Sequence, residues 1–239
     1  MAKRGGTRHL KRLAIPKAMP ITNKKETTWL VKPMPGPHPS ERCIPLGVFL
    51  RDVVKLAKTL REAKKVLYMR KVYVDGRVRT DEKFPIGLMD VVSLPEIKKN
   101  YRIVVDWKGR LIPLEITSET ANKKIVKVVK KHTAPGGKIM LTFHDGKNMV
   151  GDNHIRVGDS IVVKLPKPEM LSHLKMENGA TCLVKEGKHA SKIVTLKEIL
   201  KRKEGKKPEA LVEDSTGSFI TVLDYLMVVG KELEGGMKG

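Results

Sequence analysis

From Pro45 the apolar positions fall at helical spacing: Val48, Phe49, Val53, Val54, Leu56 and Ala57 recur three to four residues apart. Thr59 is followed three residues later by Glu62, the signature of a capping box. The pattern therefore predicts one helix that stops near Lys58 and a second that starts near Leu60. The second turns Ala63, Val66 and Leu67 inward and Arg61, Lys64 and Lys65 outward. The period then changes to two. Val72, Val74 and Val78 alternate around Asp75-Gly76, a tight-turn dipeptide, which predicts a β-hairpin.

Beyond Tyr101 the helical period fades. "YRIVVDWKGRLIPLEI", "KKIVKVVKK", "GKIMLTFHDGKNMV" and "DSIVVKL" read as short strands punctuated by Lys108-Gly109, Pro135-Gly136-Gly137, Asp145-Gly146 and Gly158-Asp159. Many short strands with glycine turns suggest a small closed barrel. "LPKPEM", around Pro166 to Met170, reads as a linker. A second β unit follows, from "GATCLVKEGKHASKIVTL" to "ALVEDSTGSFITVLDYLMVVGK", interrupted by the basic run "KEILKRKEGKK", expected to be helical or mobile. The predicted class is α+β. Its units are a basic extended arm at 1–42, a two-helix and hairpin module at 43–98, a central β-barrel at 99–170, a C-terminal β unit at 171–232 and a frayed tail at 233–239.

Charge sets the functional class. The 239 residues carry 48 Lys and Arg against 26 Asp and Glu, a formal net charge of +22. Nucleic acid is the commonest partner for such an excess, with an anionic membrane surface second. No apolar run approaches spanning length, and "MAKRGGTRHL" has no apolar core behind it, so neither a membrane span nor a signal peptide is expected. In residues 1–42 about ten basic residues face two glutamates, among spaced prolines, which fits an arm that orders on a polyanion. Aromatics are only 4% of the chain, which argues against rows of stacking rings.

Cys43 and Cys182 are far apart and outside any C-x-x-C pair. They read as buried, inert thiols in a reducing compartment rather than zinc ligands or a disulfide. His38, His144, His154 and His173 are scattered and read as surface or turn residues. Asp145 and Asp152 read as turn formers. No metal, cofactor, small-molecule substrate or catalytic residue is implied.

The positive charges of three elements can converge on one face. Arg51, Lys55, Arg61, Lys64, Lys65, Arg77 and Arg79 are the candidate RNA contacts of the helices and hairpin. The Thr59 turn adds the free N–H groups of a helix start, which suit a phosphate. From the arm, Lys3, Arg4, Arg8, His9, Lys11 and Arg12 join them.

"FLRDVVKLAKTLREAKKVLYMRKVYVDGRVR", followed by "FPIGLMDVV", resembles the alpha-L RNA-binding fold, the S-four-type module. Arg51-Asp52, Thr59/Arg61/Glu62/Ala63, Val74-Asp75-Gly76, Gly87 and Asp90-Val91 carry that likeness. The flanks "RGGTRHLKRLAIPK", "PMPGPH", "FPIGLMD" and "DSTGSFITVLDYLMVVGK" are similar to the archaeal and eukaryotic small-subunit ribosomal protein family four-e. That resemblance implies an SH3-like, KOW-type C-terminal barrel. It also implies small-subunit rRNA and neighbouring ribosomal proteins as partners, and a cytoplasmic, ribosomal location. Where relatives tend to have two further glycines in the KOW loop, this chain has Ser191 and Val194. Lys188 and Lys192, with Lys185 and His189, therefore rank behind the helix residues as contacts.

Two other classes share such modules. An RNA-modifying enzyme of the pseudouridine synthase kind, or its targeting subunit, would need an Arg-Leu-Asp context, and a tyrosyl-tRNA synthetase a phosphate-cradling glycine loop, and neither occurs. A KOW-type transcription elongation factor is the third reading.

Overall fold

The computed structural model describes residues 7–200, 202, 205, 207–215 and 217–230. Among the described residues, three five-stranded antiparallel sheets, two two-stranded ladders and a few short helices make up the fold.

The second helix forms as predicted, over Leu60–Tyr68, with Ala63 and Leu67 fully buried and Val66 half-buried. Its capping box is complete. The Glu62 N–H donates to the Thr59 hydroxyl at 3.2 Å, and the Thr59 N–H donates to the Glu62 carboxylate at 3.3 Å. The first helix is shorter than expected. One α-turn over Leu46–Val48 widens into a π-turn over Phe49–Val53, closed by the Val54 N–H to the Phe49 carbonyl at 2.9 Å. The adjacent β-branched Val53 and Val54 resist further helix. Lys55 then takes a left-handed conformation (φ 57°), and the chain folds back so that the Leu56 and Ala57 N–H groups both reach the Leu50 carbonyl. Ala57 is thereby buried without the helix running on to Lys58.

The hairpin also forms as predicted, pairing Tyr73 with Val78 and Val74 with Arg77. Asp75 and Gly76 both take positive φ, 51° and 71°. Gly76 is required twice over, because a Cβ there would lie 2.8 Å from Pro166. This hairpin is the edge of a sheet ordered Arg77–Val78, Tyr73–Val74, Val91–Leu94, Lys99–Val105, Leu111–Ile116. The sheet runs straight across the boundary expected at residue 98.

The central sheet is ordered Asn148–Gly151, Ile139–Phe143, Lys123–Thr133, Ser160–Lys164, Glu169–Leu174. Its ladders break register between Val128 and Lys130 and between Val162 and Val163, where bulges bend it. Its two edge strands are not paired to each other, so the ladder is an open sheet and not a closed barrel. The "LPKPEM" stretch is not a linker. It is the turn of a hairpin that pairs Lys164 with Glu169, and the sheet continues to Leu174.

The C-terminal sheet is ordered Gly217–Val222, Glu209–Asp214, Ile193–Leu200, Thr181–Val184, Leu226–Val228. The run expected to be helical begins instead inside the strand Ile193–Leu200, where Leu196 alternates inward. Lys201, Lys203, Glu204 and Lys206 of that run, and the tail at 233–239, lie outside the described residues.

The N-terminal segment is not an independent arm. Leu10–Lys11 pairs with Trp29–Leu30, and Ile15, Met19, Ile21 and Leu30 enter the same apolar core as Phe49, Leu67, Val74 and Ile103. These buried apolar side chains are what docks a strongly basic segment against the body. A further cluster of Met89, Ile125, Val162, Leu183 and Met227 joins the loop before Val91 to the central and C-terminal sheets. Both cysteines are buried free thiols, and burial pushes each up to about 12.

Candidate nucleic-acid interface

A groove of about 710 Å³ separates the N-terminal segment from the end of the first helix and the start of the second. Arg51, Lys55, Lys58 and Thr59 form one wall; Thr22, Asn23 and Thr27 form the other. Four cations, Arg12, Arg51, Lys55 and Lys58, line it against two carboxylates, Glu26 and Asp52. Lys58 was not among the residues the sequence singled out. Its signal was there, a lysine directly before an N-cap.

Arg12 is a support and not a contact. It is 3% exposed, and its guanidinium donates to the Asn23 carbonyl at 2.8 Å, the Thr27 hydroxyl at 3.2 Å and the Glu26 carboxylate at 2.8 Å. Asp52 lies 3.6 Å from the same group and accepts from Arg51 at 2.8 Å. Arg51 and Arg12 thus share one carboxylate, which fixes the loop across the groove floor.

The capping box narrows what the helix start offers. The Glu62 carboxylate takes the N–H groups of Lys58, at 2.8 Å, and of Thr59. Those two hydrogen bonds hold Glu62 below its usual range. The N–H groups of Leu60 and Arg61 have no hydrogen-bond partner among the described residues and remain open to an anion.

Arg61 and Lys65 are exposed on the outer face of the helix. Lys64 is exposed but reaches Glu82 at 2.9 Å, and the half-buried Arg79 guanidinium lies 4.3 Å over the Phe84 ring, so both are engaged within the protein. Arg77 is exposed at the hairpin tip, away from any ion pair among the described residues. Arg8 and Lys11 are exposed, and the His9 ring lies 5.5 Å from that of Trp29. Lys3 and Arg4 lie outside the described residues.

At the C-terminal sheet, Lys188 is exposed, whereas Lys192 pairs with Asp214 at 2.6 Å. Lys185 lies 3.8 Å from Glu186, and His189 stacks on Phe219 at 4.0 Å. Ser191 takes φ 74°, the conformation that a glycine would adopt freely, and Val194 is buried in the sheet.

A second set of charges centres on the buried Lys124, with Lys147 partly exposed at its edge, and the sequence did not signal it. Lys124 sits on the strand Lys123–Thr133, which is covered on both faces from Lys124 to Val128. Its ammonium donates to Asp75 at 2.7 Å, Asp90 at 2.6 Å and Asp145 at 2.9 Å. Lys147 adds a second cation at 2.6 Å from Asp75. His38 lies 2.9 Å from Asp90, whose carboxylate also accepts from the Gly87 N–H at 2.9 Å. The cluster clasps the hairpin turn, the loop before Val91, the central sheet and the N-terminal segment at one point. Burial would raise Asp90, but the Lys124 charge and the hydrogen bond with His38 outweigh it and hold the carboxyl well below the usual range.

His38 is therefore buried and His144 half-buried, and neither is a free surface residue. The His144 Nδ1 accepts from the Lys127 N–H at 3.1 Å and its Nε2 donates to the Leu88 carbonyl at 3.1 Å. Burial and the nearby Lys124 charge push His144 down to about 4. Asp145 is a turn residue and a buried ion-pair partner at once. Lys127 is likewise buried, donating to the carbonyls of Asp224 at 3.1 Å and Leu226 at 2.6 Å, and burial lowers it to about 8.

Among the described residues no group of three or more His, Cys, Asp or Glu side chains is placed to hold a metal ion. No helix is long and apolar enough to cross a membrane.

Comparison with known proteins places these units. A family model for the RS4NT (NUC023) domain matches residues 4–41, the S4 domain model matches 46–92, and the model of ribosomal family S4e matches 97–170. The small ribosomal subunit protein eS4 of Korarchaeum cryptofilum is 43% identical over 236 residues, covering 97% of both chains. That of Methanosphaera stadtmanae is 40% identical over 232 residues, covering 97% of this chain and 96% of the other. The crystal structure of the 30S ribosomal protein S4e from Thermoplasma acidophilum superposes with a TM-score of 0.69 at 32% identity, over 80% of this chain and 96% of that one. The matches run through all the sheets and through the groove, and the chain belongs to the ribosomal family S4e.

Proposed function

We propose that the protein is a structural constituent of the small ribosomal subunit that binds and stabilises folded small-subunit rRNA, with neighbouring ribosomal proteins as its other partners. Its place is then on the cytoplasmic ribosome. It acts by neutralising phosphate and by shape, without catalysis. The observation that carries the reading is the groove at Thr59. Cations there outnumber carboxylates, its floor is braced by Arg12, and the N–H groups of a capped helix open into the same region. The names of the relatives support the ribosomal setting.

Within that reading, the two-helix and hairpin module at 43–98 recognises the RNA fold. Arg51, Lys55, Thr59, Arg61 and Lys65 supply its contacts, together with Lys58. The N-terminal segment forms the opposite wall. The C-terminal sheet is a KOW-type unit that presents Lys188. Arg8, His9 and Lys11, with Lys3 and Arg4 at the terminus, extend the basic surface.

The test is binding to small-subunit rRNA across a salt series, with sedimentation of the protein on small subunits. Affinity should fall steeply with log salt, by roughly 0.7 to 0.9 in slope per phosphate neutralised, and the protein should leave the subunit only at high salt. A slope near zero would overturn the reading.

A further inference from the structure

A second cleft, of about 500 Å³, shares Ile21 with the Thr59 groove but is lined otherwise by different residues. Three regions meet there: residues 16–24, the turn 106–110 and the loop 187–188. Their meeting is fixed by the fold. The Leu111 N–H donates to the Ala18 carbonyl at 2.8 Å, and Ala190 is buried in the core that the N-terminal segment shares.

Trp107 stands at this cleft, 68% exposed. It is held by a tight turn, with the Gly109 N–H on the Asp106 carbonyl at 2.7 Å and its own N–H on the Asp106 carboxylate at 2.7 Å. An indole held outward on a rigid turn presents its ring as a ready, preorganised contact surface. The Lys108 ammonium sits 4.4 Å from the ring centroid. Lys17, Lys24 and Lys188 line the same cleft and, like Lys108, make no ion pair among the described residues. Pro16, Met19 and Ile21 supply apolar lining beneath them.

An aromatic face flanked by unpaired cations over an apolar floor matches the repeat of single-stranded RNA, in which bases alternate with phosphates. An acidic peptide would satisfy the lysines and leave the indole bare. We propose that Trp107 is a stacking platform for an unpaired RNA base, with Lys17, Lys24 and Lys188 holding the adjoining phosphates. This rests on the RNA-binding reading above and adds a site for unpaired nucleotides, separate from the groove that meets folded RNA.

The test uses the full chain carrying Trp29→Phe, so that Trp107 is its sole tryptophan. A short oligoadenylate should quench Trp107 emission, whereas a blunt RNA duplex should bind without quenching it. Trp107→Ala should weaken oligoadenylate binding about tenfold, Trp107→Phe should retain most of it, and duplex affinity should stay unchanged in both. Because Trp107 is exposed, neither variant threatens the fold, and unchanged thermal unfolding verifies this. Duplex binding without oligoadenylate quenching overturns the platform while leaving the RNA-binding reading intact. Failure of the parent protein to bind either RNA overturns both. Equal quenching by a short polyglutamate also overturns the platform and assigns the cleft to an acidic protein.

Discussion

Lys124 and Lys58 are the same side chain in two settings, and the contrast separates the two uses this protein makes of positive charge. Around Lys124, three aspartates within 2.9 Å neutralise a buried ammonium, and no part of that charge faces a partner. Along the Thr59 groove, Lys55 and Lys58 are exposed and lack ion pairs among the described residues, while only Arg12 and Arg51 share carboxylates. The formal +22 sums both kinds. Only the second kind remains to attract a polyanion; the first holds the sheets together. Burial and pairing distinguish binding lysines from structural ones, and composition does not.

The largest effect should come from breaking the internal set. Lys124→Met leaves Asp75, Asp90 and Asp145 buried with Lys147 as their remaining lysine. It should cost about 3–5 kcal/mol, the range for removing one partner of a buried ion pair. Lys58→Met, on the exposed wall, should change stability by less than about 0.5 kcal/mol. Urea unfolding of both variants checks the contrast. Equal midpoints would mean that the buried cluster contributes nothing that the groove does not.

Acid should expose the same asymmetry. His144 titrates near 4 in the folded chain against 6.5 ordinarily, through burial first and the Lys124 charge second. The unfolded chain therefore binds the proton first. The stability due to a neutral His144 is complete above pH 6.5 and is lost as pH falls from about 6.5 to about 4. The full shift corresponds to at most about 3 kcal/mol, reduced by the solvent that reaches a part-exposed ring. His144→Asn preserves one donor and one acceptor and should flatten the curve across that window. In Lys124→Met the His144 titration, followed by NMR, should move upward. An unmoved titration would show that the two groups are not electrostatically coupled.

The contrast also explains what could be read from the residues alone. The capping box at Thr59, the Asp75-Gly76 turn and the strand alternation are local codes, written within a few residues, and all three are where the pattern put them. The early end of the first helix was not legible, because Val54, Leu56 and Ala57 satisfy helical spacing as well as they satisfy a chain folding back over Leu50. The docking of the N-terminal segment was signalled only by Trp29, Leu30 and Val31, against a strongly basic background. His38 and His144 were misplaced, and the buried Lys124 and Lys127 passed unremarked, for one reason. A polar residue is assumed to be outside until its partners are known, and those partners lie 17 to 99 residues away. Of the groove, its helix wall was legible and its opposite wall was not.

In the exposed set, Lys55→Ala, Lys58→Ala and Arg61→Ala together should leave the unfolding midpoint nearly unchanged and weaken binding to folded rRNA on the order of ten- to a hundredfold at moderate salt. The salt slope should drop by about two, as two to three phosphates lose their cations. A competition assay with bulk RNA adds the specificity readout. A triple variant that unfolds early but binds normally when folded would place these residues with Lys124 instead.

The smallest effect tests a groove residue that has a structural role and a place in the binding wall at once. The Thr59 hydroxyl satisfies the Glu62 N–H and so fixes where the helix begins, and the same helix start forms part of the groove wall. Thr59→Ala should cost about 1 kcal/mol through the lost cap, measured by thermal unfolding. If Thr59 acts only as a cap, RNA affinity measured well below the melting transition should be unchanged, because Glu62 still holds the N–H groups of Lys58 and Thr59. If the Leu60 and Arg61 N–H groups meet a phosphate, fraying the first turn misdirects them, and affinity should fall by a few-fold. Thr59→Ser separates the two contributions. It restores the acceptor, so both stability and binding should return; recovery of stability alone would show that the threonine methyl, and not the helix start, meets the RNA.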